Sequence, residues 1–150
     1  MLQLTLLPEV RSTLSAAFRL AGLVRIDFTH DFSVRIKAHD LLDFELADYV
    51  QARLDDAGPG GKVTLADPEL IFLYTLLDLL GKSYFTTFAA VLEREYLQAT
   101  AASADEYRIH RDRILGTAGR ILAHLAKHLA RRPGFADVQE RLALLDDTMS

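Results

Sequence analysis

Asp67-Pro68-Glu69-Leu70-Ile71-Phe72-Leu73-Tyr74-Thr75-Leu76-Leu77-Asp78-Leu79-Leu80-Gly81 is the stretch on which the fold turns. Between Leu70 and Leu80 only Thr75 and Asp78 break a run of apolar side chains. A helix that is apolar on nearly every side must be covered on nearly every side. The run is well short of the roughly 18 residues needed to cross a bilayer, so its cover is protein. Asp67 suits a helix N-cap, Pro68 the first helical position and Gly81 a stop. The spacing therefore predicts a central helix over 68–80.

Helical periodicity continues after it. Phe85, Phe88, Leu92 and Tyr96 form one stripe behind a possible Ser83 cap. Tyr107, Ile114, Ala118, Ile121, Leu125 and Leu129 form another on a long helix that starts at Ser103 or Asp105 and stops before Arg131-Arg132-Pro133-Gly134. A last helix over about 136–145 is predicted to bury Val138, Leu142 and Leu145.

Before the central helix the pattern is mixed. Leu2, Leu4 and Leu6 alternate with polar residues, the period of a short strand. Pro8 opens a helix with Val10, Leu14, Ala17, Phe18 and Ala21 inside and Gly22 as its expected stop. Val24, Ile26 and Phe28, then Phe32, Val34 and Ile36, alternate about His30-Asp31 and predict a β-hairpin over 24–37. From Asp40 the period returns to 3.6, with Leu42, Leu46, Tyr49, Val50 and Leu54 on the apolar face. The glycine-rich loop within Asp56–Gly61 separates an α/β portion, 1–57, from a helical portion, 62–150, with residues 58–61 as the loop itself. One domain of 150 residues accommodates both. The expected fold is mainly α: a single-domain bundle of about five to six helices with a small N-terminal β-hairpin.

Half the residues are hydrophobic and a quarter charged, an ordinary globular composition. With no cysteine, the chain has no disulfide, thiolate metal ligand or cysteine nucleophile, and a cytoplasmic address is expected. The apolar N-terminus has no basic segment ahead of it, so neither a signal peptide nor membrane association is expected.

Few residues combine into recognisable chemistry. Gly81-Lys82-Ser83 copies the end of a phosphate-binding loop, but Leu76 stands where that loop needs a glycine. Asp78 shares a stripe with Thr75 and Lys82, which reads as a polar seam or a wet face. His30-Asp31 reads as a turn and His39-Asp40 as a helix start. No serine sits in a nucleophile elbow. Tyr84, Phe85, Phe88 and Tyr96 could line a pocket, although their helical spacing reads first as core. His124 and His128 lie one turn apart and could share a metal, with His110 on the same side of the helix and Glu93 or Glu95 as a further ligand.

Charge is the more informative signal. Between Tyr107 and Arg132 seven basic residues stand against Asp112 alone, a net +6, while the rest of the chain carries −10 within a total of −4. Arg113, Arg120, Lys127 and Arg131 align at helical spacing, and Asp40, Asp43, Glu45, Asp48, Asp55 and Asp56 crowd the other long helix. Such polarity predicts a partner-binding face at Arg113, Arg120, Lys127 and Arg131. The functional expectation is a non-catalytic interaction or regulatory module, with no catalytic residue and no cofactor, that self-associates as a dimer or meets an acidic protein. The alternatives are a metal-dependent helical enzyme at His124 and His128, or a nucleic-acid accessory protein on the basic helix. The overall negative charge opposes the last of these.

Overall fold

A computed structural model describes residues 1–25, 41–83 and 88–149. Six helices and one antiparallel strand pair occur among them: β1 (Leu2–Thr5), α1 (Pro8–Arg25), α2 (Phe44–Ala57), β2 (Lys62–Leu65), α3 (Asp67–Ser83), α4 (Phe88–Thr100), α5 (Ala104–Leu129) and α6 (Phe135–Met149). The chain is a mainly α domain. One hydrophobic core draws on every one of these elements.

The centre is α3, which packs against α5, α1, α6 and α2. Leu70, Leu73, Leu76, Leu77 and Leu80 are completely enclosed. The two polar residues of the run are satisfied within the helix. The Thr75 hydroxyl donates to the Ile71 carbonyl at 2.9 Å, and Lys82 pairs with Asp78 one turn away in a partly buried seam. Gly81 does not stop α3; its φ is not positive, and the helix runs on to Ser83. Ser83 is the last described residue of α3; the start expected for a helix capped by it falls in residues 84–87, outside the described residues, and α4 is described from Phe88.

The start of α3 differs from expectation too. Glu69 reaches back, its Oε1 accepting the Ala66 N–H at 3.3 Å, while its Oε2 lies 3.6 Å from Arg53 of α2. Asp67 turns away to the end of α5, 3.4 Å from His128 Nε2 and 3.6 Å from an Arg132 guanidinium nitrogen. Of two acids that suit a helix N-terminus, Glu69 makes the reach-back while Asp67 pairs with the end of α5.

The small sheet joins segments far apart in sequence. Leu2 pairs with Leu65, Leu4 with Val63 and Thr5 with Lys62, so Leu4, Val63 and Leu65 face the core. Residues 62–65, expected to open the helical portion, are therefore a strand: alternation in Lys62-Val63-Thr64-Leu65 completes a ladder with β1. The 24–37 hairpin is a different matter. Val24 and Arg25 belong to α1, which continues past Gly22, and residues 26–37 lie outside the described residues. The same holds for His30, Asp31, His39 and Asp40.

Local chemistry explains the other helix ends. α2 starts at Phe44 and not at Asp40, because Asp43 is its N-cap and accepts the Leu46 N–H at 3.1 Å. Tyr49, placed on the apolar face by periodicity, is 53% exposed with the Arg53 guanidinium 6.0 Å from its ring centroid. Ser103 caps α5 through the Glu106 N–H at 3.1 Å, and Tyr107, Ile114, Ala118, Leu125 and Leu129 are buried as the spacing predicts. Phe135 begins α6, buried edge-on to Tyr74 with ring centroids 4.8 Å apart. Leu142 is buried and Val138 partly so; the Leu145 side chain lies outside the described set. No helix among the described residues is long and apolar enough to cross a membrane.

Candidate functional site

Two surfaces carry unbalanced chemistry. The first is the outer face of α5. Arg113, Arg120, Lys127 and Arg131 are all exposed, and the small residues Gly116, Gly119 and Ala123 are exposed between them. Arg120 donates to the Thr117 hydroxyl at 3.1 Å. Arg113, Lys127 and Arg131 form no ion pair among the described residues. The basic residues of α5 that do find carboxylates are others: Arg108 with Asp105 at 2.8 Å and Arg111 with Asp112 at 3.4 Å. The four aligned residues therefore keep their charge available.

The histidines of this helix separate instead of converging. His128 faces Asp67 on α3, whereas His124 is exposed. His110 stacks on Tyr96 of α4, with centroids 4.2 Å apart and planes 18° from parallel. Among the described residues no three His, Asp or Glu side chains lie together as a metal-ligand group. Glu93 and Glu95 accordingly complete no such group with His124 and His128.

The second surface is a cleft of about 390 Å³ between α1, α2, α4 and α5. Leu6, Leu14, Phe18 and Leu54 line it from the core, and the stacked rings of Tyr96 and His110 border it from the side. Its polar wall comes largely from one stripe of α1: Arg11, Ser12, Ser15 and Arg19, spaced so that a single helix face presents all four. Gln51 and Asp55 of α2 and Thr100 of α4 stand across from them. Among the described residues neither Arg11 nor Arg19 forms an ion pair, and Asp55 is the only acid that lines the cleft. Periodicity could place Tyr96 and His110 on helix faces; it gave no reason to single out Arg11 or Arg19. Tyr84, Phe85 and Phe88, the other aromatics of interest, have side chains outside the described set.

Burial, then the nearby guanidinium groups of Arg19 and Arg113, hold the His110 pKa below its ordinary 6.5. Nearby, burial is the main cause that raises the Tyr107 phenol above its usual value, and Glu93 adds to it. At neutral pH the cleft thus holds a neutral imidazole beside two permanent cations.

The His110 shift has a consequence for stability. The folded state resists the proton that the unfolded chain accepts near pH 6.5, so stability falls as pH drops through 6.5 toward the lower folded pKa. His110→Phe removes this linkage and keeps an aromatic ring against Tyr96. The loss in urea midpoint between about pH 7.5 and pH 5.5 is expected to be smaller in His110→Phe than in wild type. Equal losses would show that His110 titrates alike in the folded and unfolded chains.

In comparisons with protein families, curated proteins and solved structures, none matches this chain.

Proposed function

We infer that the chain is a non-catalytic interaction module that self-associates, the basic face of α5 docking on the acidic α2 of a second copy. The observation that carries this reading is the row of exposed cations at Arg113, Lys127 and Arg131, without an ion pair among the described residues and interleaved with glycine and alanine. Small side chains let a partner backbone come close, and the flanking cations select an acidic one. α2 supplies that chemistry: Glu45, Asp48, Asp55 and Asp56 are exposed on it, and among the described residues only Asp48 of these is held, by Arg25 at 3.1 Å. A two-fold arrangement uses both complementary faces twice. An acidic partner protein would read the same surface, whereas a polyanion such as nucleic acid meets an overall charge of −4. A cytoplasmic address belongs to the same proposal, supported by the cysteine-free sequence.

Light scattering across a concentration series tests it. Wild type is expected to dimerise at about 50 mM salt and to weaken markedly at about 500 mM, as screening shortens the range of charge attraction. Reversal of all four cations, R113E/R120E/K127E/R131E, is expected to weaken dimerisation at least roughly thirtyfold, each rim pair being worth up to about 1 kcal/mol. Mixing that variant with E45K/D55K/D56K should restore a one-to-one complex. A chain that stays monomeric at low salt, or a reversed variant that dimerises like wild type, overturns the proposal.

A further inference from the structure

The geometry points to a second binding site, which shares Asp55 with the proposed docking face of α2: the cleft beside α1 takes a small organic oxyanion with a flat apolar body, its carboxylate or phosphate held by Arg11 and Arg19. Three observations converge on this ligand class. The first is size. About 390 Å³ lies within the range of pockets that hold small molecules and is ample for a bicyclic ring system. The second is amphipathic lining. Buried Leu14, Phe18 and Leu54 offer an apolar floor, and the Tyr96–His110 stack offers a flat border, neither of which suits a bare inorganic ion.

The third is charge. Arg11 and Arg19 stand two turns apart on one face of α1 and reach no carboxylate among the described residues. Among the described residues, two guanidinium groups against Asp55 give the cleft lining an excess positive charge, inside a molecule whose net charge is negative. Guanidinium forks match carboxylate and phosphate oxygens in a bidentate manner, and the serine hydroxyls between them can donate to the same oxygens. A charged head on an apolar body uses both halves of the cleft at once; a neutral ring or a simple salt uses one.

Isothermal titration of the full chain with 1-naphthoate, 1-naphthyl phosphate and the neutral 1-naphthalenemethanol tests the assignment. At least one of the two anions is expected to bind saturably below about 1 mM, one per chain, with the alcohol weaker by at least about tenfold. The tighter anion identifies the head group as carboxylate or phosphate. Arg11→Gln and Arg19→Gln are each expected to weaken the anion about tenfold while leaving alcohol binding and the urea midpoint unchanged, since both side chains lie at the surface of α1. Bound naphthoate should also shift the ring resonances of Tyr96 and His110. No saturable binding by either anion near 1 mM, anion and alcohol binding alike, or full binding by R11Q/R19Q overturns the inference.

Discussion

Leu77→Ala is expected to lower the unfolding free energy by about 3 kcal/mol, within the range seen for leucine truncations in closely packed cores. Leu77 sits on α3 with no exposed surface, among Leu73, Leu76 and Leu80, which are equally enclosed. Because α3 packs against α1, α2, α5 and α6, close-packed helices limit how far the core can collapse into the space a leucine leaves. The cost therefore includes both the lost transfer of the side chain from water and most of the residual cavity. Urea unfolding reads it directly: with a slope near 2 kcal/mol/M, the midpoint should fall by about 1.5 M. Ile109→Ala is the matched control. Ile109 is 53% exposed on α5, and its truncation is expected to change stability by less than about 0.5 kcal/mol. A Leu77→Ala loss under about 1 kcal/mol would mean that α3 does not lie at the centre of the core.

That central position was legible because burial on all sides leaves a direct mark on composition. A helix touched by four others has no polar face to hide. Strand β1 and the inner stripe of α5 were legible for the same reason: each buries one face and alternates accordingly. Boundaries were less legible, since they depend on partners remote in sequence. Asp67 looks like a cap until His128, 61 residues later, arrives beside it. β2 is four residues long, and its alternation becomes a strand only when Leu2–Thr5 lies alongside. Gly22 and Gly81 both resemble stops, but packing carries each helix across its glycine.

The candidate surfaces divide in the same way. The charged face of α5 is a property of one helix, so spacing alone reveals Arg113, Arg120, Lys127 and Arg131 as neighbours. The cleft is a property of four helices. Arg11, Ser12, Ser15 and Arg19 have the composition of any solvated helix face, and nothing within α1 signals that Tyr96 and His110 will stand beside them. His124 and His128 divide similarly, with no three-ligand group around them among the described residues. One turn of helix places His124 and His128 near each other, but α3 draws the second to Asp67 and leaves the first at the surface.

Gly61→Ala is expected to destabilise the fold by about 3 kcal/mol, although it adds a single methyl group at a loop position. The glycine-rich loop looks like a divider between two halves; its hydrogen bonds make it a fastener. Leu6 donates to the Gly61 carbonyl at 2.8 Å and accepts the Gly60 N–H at 3.0 Å, so two loop residues face one residue of the N-terminal segment. This extends the β1–β2 ladder by a bulge and holds Leu6, which is buried, in the core. The same turn folds back on α2, with the Gly61 N–H on the Gly58 carbonyl at 3.1 Å. A Cβ at Gly61 would lie 2.8 Å from the Ala57 carbonyl carbon and closer still to its oxygen. That obstacle is backbone at the end of α2, so relief requires moving either the helix end or the ladder. Moving the ladder pulls on Leu6, and moving the helix end disturbs the Gly58 cap, where φ is +72°. Gly22→Ala supplies the contrast. A Cβ there meets nothing within 4 Å in a helical stretch of α1, and alanine should raise stability by about 0.5–1 kcal/mol. Opposite shifts in urea midpoint for the two glycine-to-alanine changes are the expected result. A Gly61→Ala protein as stable as wild type would show that the loop yields freely and that Leu6 is not held by it.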